Sequence, residues 1–318
     1  MAKIKSNDHN TYMPVCRICG SKKTILKYVK EKYKYYQCPD CLILFLHPIP
    51  SKKSLDMYYQ KEFRYTAGLA EEKRLKQKAT EIVDRLTELN PSGKSLLDIG
   101  SGYGVFLQEA KNHIQEITGI EPSKSLYNYS ASYVKEHMMN IDFQTFLKKN
   151  RAKFDFITLI HVIEHLPDPK KILRQIISLL KPNGVLYIET PNIDSRLYYS
   201  EGKNYTFLTP PDHIYLFSPF AFQEMIKNSH NIRIQNISTS SHPEHFMGIL
   251  KRKWRITDGK SQINTQLQKS NKEIQPAPGI KIIKYYLFDK IIAPLCTPLL
   301  NTRNKGSILE IYLRKIPV

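Results

Sequence analysis

The residues of this 318-residue chain that could do chemistry gather in four short stretches. "HVIEHLPDP", His161 to Pro169, places two histidines and a glutamate in H-x-x-E-H order, the spacing of an inverted zinc-protease motif. "DIGSGYG", Asp98 to Gly104, sets three glycines behind an aspartate. Cys16, Cys19, Cys38 and Cys41 form two C-x-x-C pairs, and "PPDH" ends on Asp212 and His213. A zinc protease needs its two histidines on one face of a helix. Here the β-rich run "FDFITLI" leads straight into His161, and Pro167 and Pro169 follow at once. The segment therefore reads as a strand end and a loop, and the two histidines need not face each other.

The cysteine pattern is C-x2-C-x18-C-x2-C, with Gly20 and Pro39 suited to the knuckle turns. Four thiolates complete a tetrahedral shell, so the expected ion is a structural Zn2+ in a ribbon over residues 1–48. Cys296 stands apart in an apolar run and reads as core. In the glycine stretch, G-x-G-x-G lets the backbone turn tightly and come close to a ligand. An acid two residues before the first glycine disfavours a diphosphate and favours a ligand that carries a cation. Glu121, in "GIEPS" after the second expected strand, is placed to accept hydrogen bonds from two ribose hydroxyls.

The elements that must position these groups follow from hydrophobic periodicity. Residues 49–94 form a linker and an amphipathic helix over about Leu69 to Leu89, stopped by "NPSG". From residue 95 to 240, short apolar runs alternate with amphipathic stretches, the pattern of a doubly wound α/β domain. "SLLDIG", "EITGIEP", "MNIDF", "FDFITLIHV", "GVLYIETPN" and "IRIQNIST" are the expected strands. "VFLQEAKN", "SLYNYSASYVKEH", "PDPKKILRQIISLLKP" and "SPFAFQEMIKNS" are the expected helices. A basic insertion covers 241–305, and "SILEIYLRK" returns as a final core strand within 306–318.

"LLDIGSGYG" and "ITGIEPS" resemble the first two motifs of class I S-adenosylmethionine-dependent methyltransferases. The resemblance implies a Rossmann-like seven-stranded sheet with helices on both faces, joined here to a small N-terminal zinc ribbon. It implies that Gly100, Ser101, Gly102 and Gly104 line the methionine portion of S-adenosylmethionine. Asp98 would help to position the cofactor, Glu121 would hold the ribose, and Asp142 would contact the adenine. "FDFITLIHVIEHLPDP" is similar to the fourth-strand motif of one subfamily, which places His161 beside the transferable methyl group. By the same likeness Glu164 and His165 pin the loop and the helix after it. The ribbon, "TPN" and "DHIYLFSPFAFQEMI" extend the resemblance to deoxysugar C-methyltransferases and saccharide-modifying relatives. In those enzymes an acid and a histidine, the latter a general base, fall where Asp212 and His213 stand. Their further C-terminal domain and the rest of the pattern around "PPDH" have no counterpart here, so the methylated atom stays open.

Composition sets the remaining expectations. A hydrophobic content of 41% is enough for a packed core. The net charge of +19 is carried by the flanks: residues 1–94 hold 19 Lys/Arg against 10 Asp/Glu, and residues 241–318 hold 14 against 5. Solubility alone accounts for such a surplus, and so does a phosphorylated, lipid or nucleic-acid partner. Neither a secretory signal nor an 18-residue apolar run is visible, and the cysteine usage suits a reducing compartment, so the expected location is cytoplasmic. Within 280–300, Ile283, Tyr286, Leu287, Ile291 and Leu295 recur at helical spacing near lysines. That stretch could be a lid, or could lie peripherally on an anionic membrane face. The acceptor expected is a small or glycan-type molecule, such as a sugar, nucleotide sugar or lipid-linked saccharide. A quinone or lipid O-methyltransferase, an RNA methyltransferase and a non-catalytic binding protein are the alternatives. The absence of an "N-P-P-Y"-like motif after "FDFITLI" argues against nucleic acid.

Overall fold

The computed structural model describes residues 13–62, 69–130, 132–246, 249 and 292–317. The ribbon comes first, as β1 (Ile25–Lys30), β2 (Tyr33–Gln37) and β3 (Leu44–Leu46), all antiparallel. Helices α1 (Lys52–Glu62) and α2 (Leu69–Leu89) lead into β4 (Ser95–Ile99), α3 (Val105–Ala110) and β5 (Glu116–Ile120). Then come α4 (Lys124–Tyr129), α5 (Ser132–Lys135), β6 (Met138–Met139), α6 (Phe143–Lys149) and β7 (Phe154–Ile160). Next are α7 (Pro169–Leu179), β8 (Leu180–Pro191), α8 (Arg196–Glu201), β9 (Tyr215–Leu216), α9 (Pro219–Ile226) and β10 (Ile232–Ser240). The last two elements are α10 (Ala293–Asn301) and β11 (Ile308–Lys315).

Seven strands form one sheet in the order β10-β11-β8-β7-β4-β5-β6. The pairs from β8 to β6 are parallel, whereas β11 runs antiparallel to both of its neighbours. Strands covered on both faces lose the polar-apolar alternation, which is why "SLLDI" is buried throughout. Leu96, Phe156, Val185 and Tyr187 pack on one face against Ala79, Ile82, Val83 and Leu86 of α2. Leu97, Ile99, Ile157, Leu186 and Ile188 face the other way, toward Leu173, Ile176 and Ile177 of α7. α7 starts where the sequence sets it: the Asp168 side chain accepts from the Lys171 N–H at 3.1 Å, with Pro169 in the first turn.

The ribbon is joined to this core. β3 pairs with β9, Leu44 opposite Leu216 and Phe45 opposite Tyr215, so the small sheet takes its fourth strand from the segment after His213. Tyr35, Ile43, Leu44 and Leu46 share one hydrophobic cluster with Phe217 and Phe222.

Two expected elements differ. "SLYNYSASYVKEH" is two short helices, because Ser130 turns to an extended conformation and its hydroxyl donates to the Tyr127 carbonyl at 2.6 Å. The third parallel strand is only Met138–Met139, and Asp142 beyond it caps α6. Most of the 280–300 stretch, residues 280–291, lies outside the described residues, and its end forms α10. No helix among the described residues is long and apolar enough to cross a membrane.

Candidate active site

Strand β4 delivers Asp98 and the glycine loop to the carboxyl edge of the sheet, beside the point where the strand order reverses between β4 and β7. In open α/β sheets ligands bind in the crevice at that switch point. Gly100, Gly102 and Gly104 all have positive φ, at 75°, 57° and 88°. A Cβ on Gly100 would sit 2.5 Å from the Val162 side chain, whereas one on Gly102 would meet nothing within 4 Å. The loop is therefore packed at its first glycine and open at its second. It is tied to β5, since the N–H groups of Gly100 and Ser101 donate to the Ile120 carbonyl at 2.8 and 3.1 Å.

Two acids stand at this edge. Asp98 is 2% exposed and accepts from the Thr158 hydroxyl at 2.6 Å. Burial first, and then the Glu121 charge, push its carboxyl up to about 7 against the pull of that hydrogen bond. Glu121 is 5% exposed and accepts from the Gly102 N–H at 2.9 Å and the Ser123 N–H at 2.7 Å. Burial raises it as well, offset in part by those two N–H groups. Each Glu121 oxygen keeps a lone pair free for a ligand hydroxyl. The Ser101 hydroxyl is buried and makes no hydrogen bond among the described residues. Two buried carboxylates, an unpaired hydroxyl and an open left-handed glycine fit a ligand with hydroxyls and a positive charge. Asp142 is otherwise engaged: its carboxylate accepts from the Thr145 N–H at 2.7 Å and pairs with Lys52 at 3.2 Å.

The far wall begins where β7 ends. His161 is held at φ 54°, an uncommon value for a residue with a side chain, and its N–H donates to the Glu189 carbonyl at 2.9 Å. Its ring lies between two carboxylates, Nδ1 at 3.2 Å from Glu164 and Nε2 at 3.3 Å from Glu189. Hydrogen bonds to Glu164 and Glu189 outweigh burial and raise its pKa to about 10, while Glu189 is drawn down to about 2. Ile163–His165 is a single 3-10 turn, so His161 and His165 share no α-helical face. Val162, which packs on Gly100, links this turn directly to the glycine loop.

Beyond the turn, four side chains converge. Glu164 is fully buried and accepts from the Thr190 hydroxyl at 2.9 Å. His165 Nδ1 lies 2.9 Å from an Asp212 carboxylate oxygen, and its ring meets that of His213 edge-on at 4.9 Å. His213 Nδ1 donates to the Phe207 carbonyl at 2.7 Å, leaving the lone pair on Nε2. Asp212 holds His165 charged, with its pKa raised to about 9 although burial opposes it. Burial, reinforced by that neighbouring charge, lowers His213 to about 4 and keeps it neutral. Ligand atoms of Glu164, His165 and His213 lie within 4.8 Å of one another, a spacing that could admit a metal ion.

Expected residues thus fall into two groups. Asp98, the three glycines, Ser101 and Glu121 gather at the carboxyl ends of β4 and β5, His161 stands at the end of the neighbouring β7, and Asp212 with His213 meets the turn after it through His165. The Ile214 N–H donates to the Glu164 carbonyl at 2.9 Å, and the side chains of Glu164 and His165 enter the histidine cluster. Glu189 escaped notice in the sequence. An acid inside the apolar run "GVLYIETPN" was the available signal. Separately, the four cysteine sulfurs lie within 4.8 Å of one another, with Cys16–Cys41 at 3.6 Å and Cys19–Cys38 at 3.5 Å. Thiolates about 2.3 Å from a tetrahedral zinc would have nearly this separation.

Sheet order, switch-point crevice and glycine loop together define the class I methyltransferase fold. Residues 71–229, half of the chain, match the family model described as "Methyltransferase domain", and the chain belongs to that family. Among curated proteins it is 30% identical to the ubiquinone biosynthesis O-methyltransferase of Coxiella burnetii over 139 residues, 42% of this chain and 59% of that one. It is 36% identical to the enzyme of that name from Histophilus somni over 108 residues, 31% of this chain and 45% of that one. The chain thus spans less than two thirds of the length of these relatives. Among solved structures, a plantazolicin methyltransferase bound to a desmethyl analogue and SAH is 16% identical, with a TM-score of 0.48, over 84% of this chain and 91% of that one. A SAM-dependent methyltransferase from Archaeoglobus fulgidus is 18% identical, with a TM-score of 0.46, over 76% of this chain and 94% of that one.

Proposed function

We propose that this protein transfers a methyl group from S-adenosylmethionine to a small or glycan-type acceptor. One observation carries the proposal: two buried carboxylates and an open left-handed glycine stand at the switch point of the sheet, linked through Val162 to a cluster that holds one neutral and one charged histidine. The bound cofactor would supply an electrophilic methyl on a cationic sulfur. Glu121 would accept hydrogen bonds from its ribose, Asp98 would favour its positive charge, and Asp142, which caps α6 and pairs with Lys52, would contact the adenine. His161, clamped by Glu164 and Glu189, would form the fixed wall beside the methyl group. The acceptor's proton would pass to His213 Nε2 as the acceptor atom bonds to the methyl carbon and the carbon–sulfur bond breaks. Asp212 orients His165, and the charge on His165 keeps His213 neutral and weakens it as a base, which alignment with the acceptor would have to offset. Alignment of acceptor and methyl would supply much of the rate. The four thiols would hold a structural zinc in the ribbon.

A second acceptor class, a quinone or other lipid with a phenolic hydroxyl, is favoured by the names of the curated relatives. Calorimetry with S-adenosylmethionine tests the cofactor, and no heat of binding would end the proposal. Radiolabelled methyl transfer into an extract of the native cell, fractionated into lipid-soluble and water-soluble products, then separates the two acceptor classes. Liposome flotation with and without anionic lipid tests the membrane contact of 280–300.

A further inference from the structure

We propose that the cysteine ribbon positions the proton acceptor, with Tyr35 as the positioning residue and Lys30 as its second hold. The inference rests on His213 as the base. The segment from Leu208 to Ile214, which carries Asp212 and His213, is gripped at both ends by ribbon atoms. Tyr35 is fully buried, and its hydroxyl donates to the backbone carbonyl of His213 itself at 2.8 Å. The Leu46 N–H donates to the Ile214 carbonyl at 2.8 Å, continuing into the β3–β9 pairing. Lys30, at the end of β1, donates to the Leu208 carbonyl at 2.5 Å. Inside the loop, the N–H groups of Asp212 and His213 both return to the Thr209 carbonyl, at 3.0 and 3.1 Å.

The main chain of His213 is thereby fixed by residues 178 positions away, while its ring is fixed by the Phe207 carbonyl within the loop. Removing the Tyr35 hydroxyl frees the backbone that aims the ring, so that the ring and its bond to the Phe207 carbonyl can shift. The ribbon does more than add stability: it sets where Nε2 stands relative to His165, Asp212 and Glu164. Displacements of about 1 Å in such a group are enough to change a rate by about a hundredfold.

Diethyl pyrocarbonate, which acylates neutral imidazole, is a probe that needs no acceptor. Its rate at His213 would be read by peptide mass spectrometry in the full-length wild type and in Tyr35→Phe, across pH 4 to 8. The rate is expected to rise about tenfold in the variant, as a misaimed Nε2 becomes accessible. Its half-point is expected to move from about 4 toward the ordinary histidine value as the ring leaves its dry, cation-flanked site. The exposed His113 should react alike in both proteins. An unchanged rate and half-point at His213, with the variant folded, would overturn the proposal. Lys30→Met, at a partly exposed position, is the second variant should Tyr35→Phe fail to fold, with the same shift expected in weaker form. Calorimetry with S-adenosylmethionine, expected to agree within about twofold, separates this outcome from loss of the cofactor site.

Discussion

The two walls of the crevice are built on different principles. The cofactor wall is local: Asp98, Gly100, Ser101, Gly102 and Gly104 fall within seven residues, and Glu121 reaches them through a neighbouring parallel strand. Its geometry comes from the main chain, through positive φ angles and N–H groups that grip Ile120 and Glu121. The acceptor wall is assembled from afar. His165 meets Asp212 across 47 positions, and Tyr35 meets His213 across 178. On the proposed function, the first wall would recognise a ligand whose form does not vary, for which a short rigid loop suffices. The second would have to suit a particular acceptor, and loops held by remote packing can change without disturbing the sheet.

Substitutions should separate the walls by what they damage. The largest effect is expected from His213→Asn, which removes the Nε2 lone pair: methyl transfer should fall by about 10²- to 10⁴-fold with cofactor affinity unchanged. Radiolabel transfer and calorimetry on the same preparation check this, and a retained rate would strip the acceptor wall of its proton-handling role. Glu121→Gln should weaken S-adenosylmethionine binding by about 10- to 100-fold, since a charge-assisted pair of hydrogen bonds is lost. Unaltered affinity would show that the ribose lies elsewhere.

Asp98 gives the comparison a pH axis. Its carboxyl is raised to about 7, so below that pH the free protein holds it protonated. A cationic ligand favours the ionised form, so binding should release a proton below pH 7. Affinity should tighten as pH rises to about 7 and level off above it. Calorimetry in buffers of different ionisation enthalpy reads that proton, and a flat profile from pH 6 to 8 would place the cation away from Asp98. The smallest effect is expected from Gly102→Ala, whose Cβ meets nothing and whose φ of 57° carries the whole penalty. A loss of about 1 kcal/mol, or roughly 2–4 °C in Tm, is expected.

This contrast also explains what could be read from the sequence. Parallel strands, the glycine loop and the cysteine cluster each write their signal in contiguous residues or fixed short spacings. The order of the sheet, the glycine loop and the cysteine cluster were therefore legible in the sequence. His165 and Glu164 were assigned to pinning a loop because nothing nearby in the chain shows that Asp212 and His213 arrive beside them. The pairing of β3 with β9 was hidden for the same reason: Leu44 and Leu216 carry no mark of each other. Asp142 was named from its place after the third strand, and in the structure its carboxylate caps α6 by accepting from the Thr145 N–H. "HVIEHLPDP" matched a metal motif letter by letter, and its prolines and the β-rich run before it were the better guides to its shape.

The order of strands in the large sheet has a consequence for synthesis. β11 lies between β8 and β10, yet β10 ends at Ser240 and β11 begins only at Ile308. As the chain leaves the ribosome, β8 must wait with one edge unpaired and β10 with no strand neighbour at all until β11 emerges, more than sixty residues after Ser240. The β8 edge is among the most apolar in the protein, with Val185 to Ile188 wholly buried once folded. Exposed edges of that kind template pairing with other chains, and long-range closure is slow. The nascent protein should therefore depend on chaperones most acutely in the interval between the emergence of residue 240 and that of residue 315.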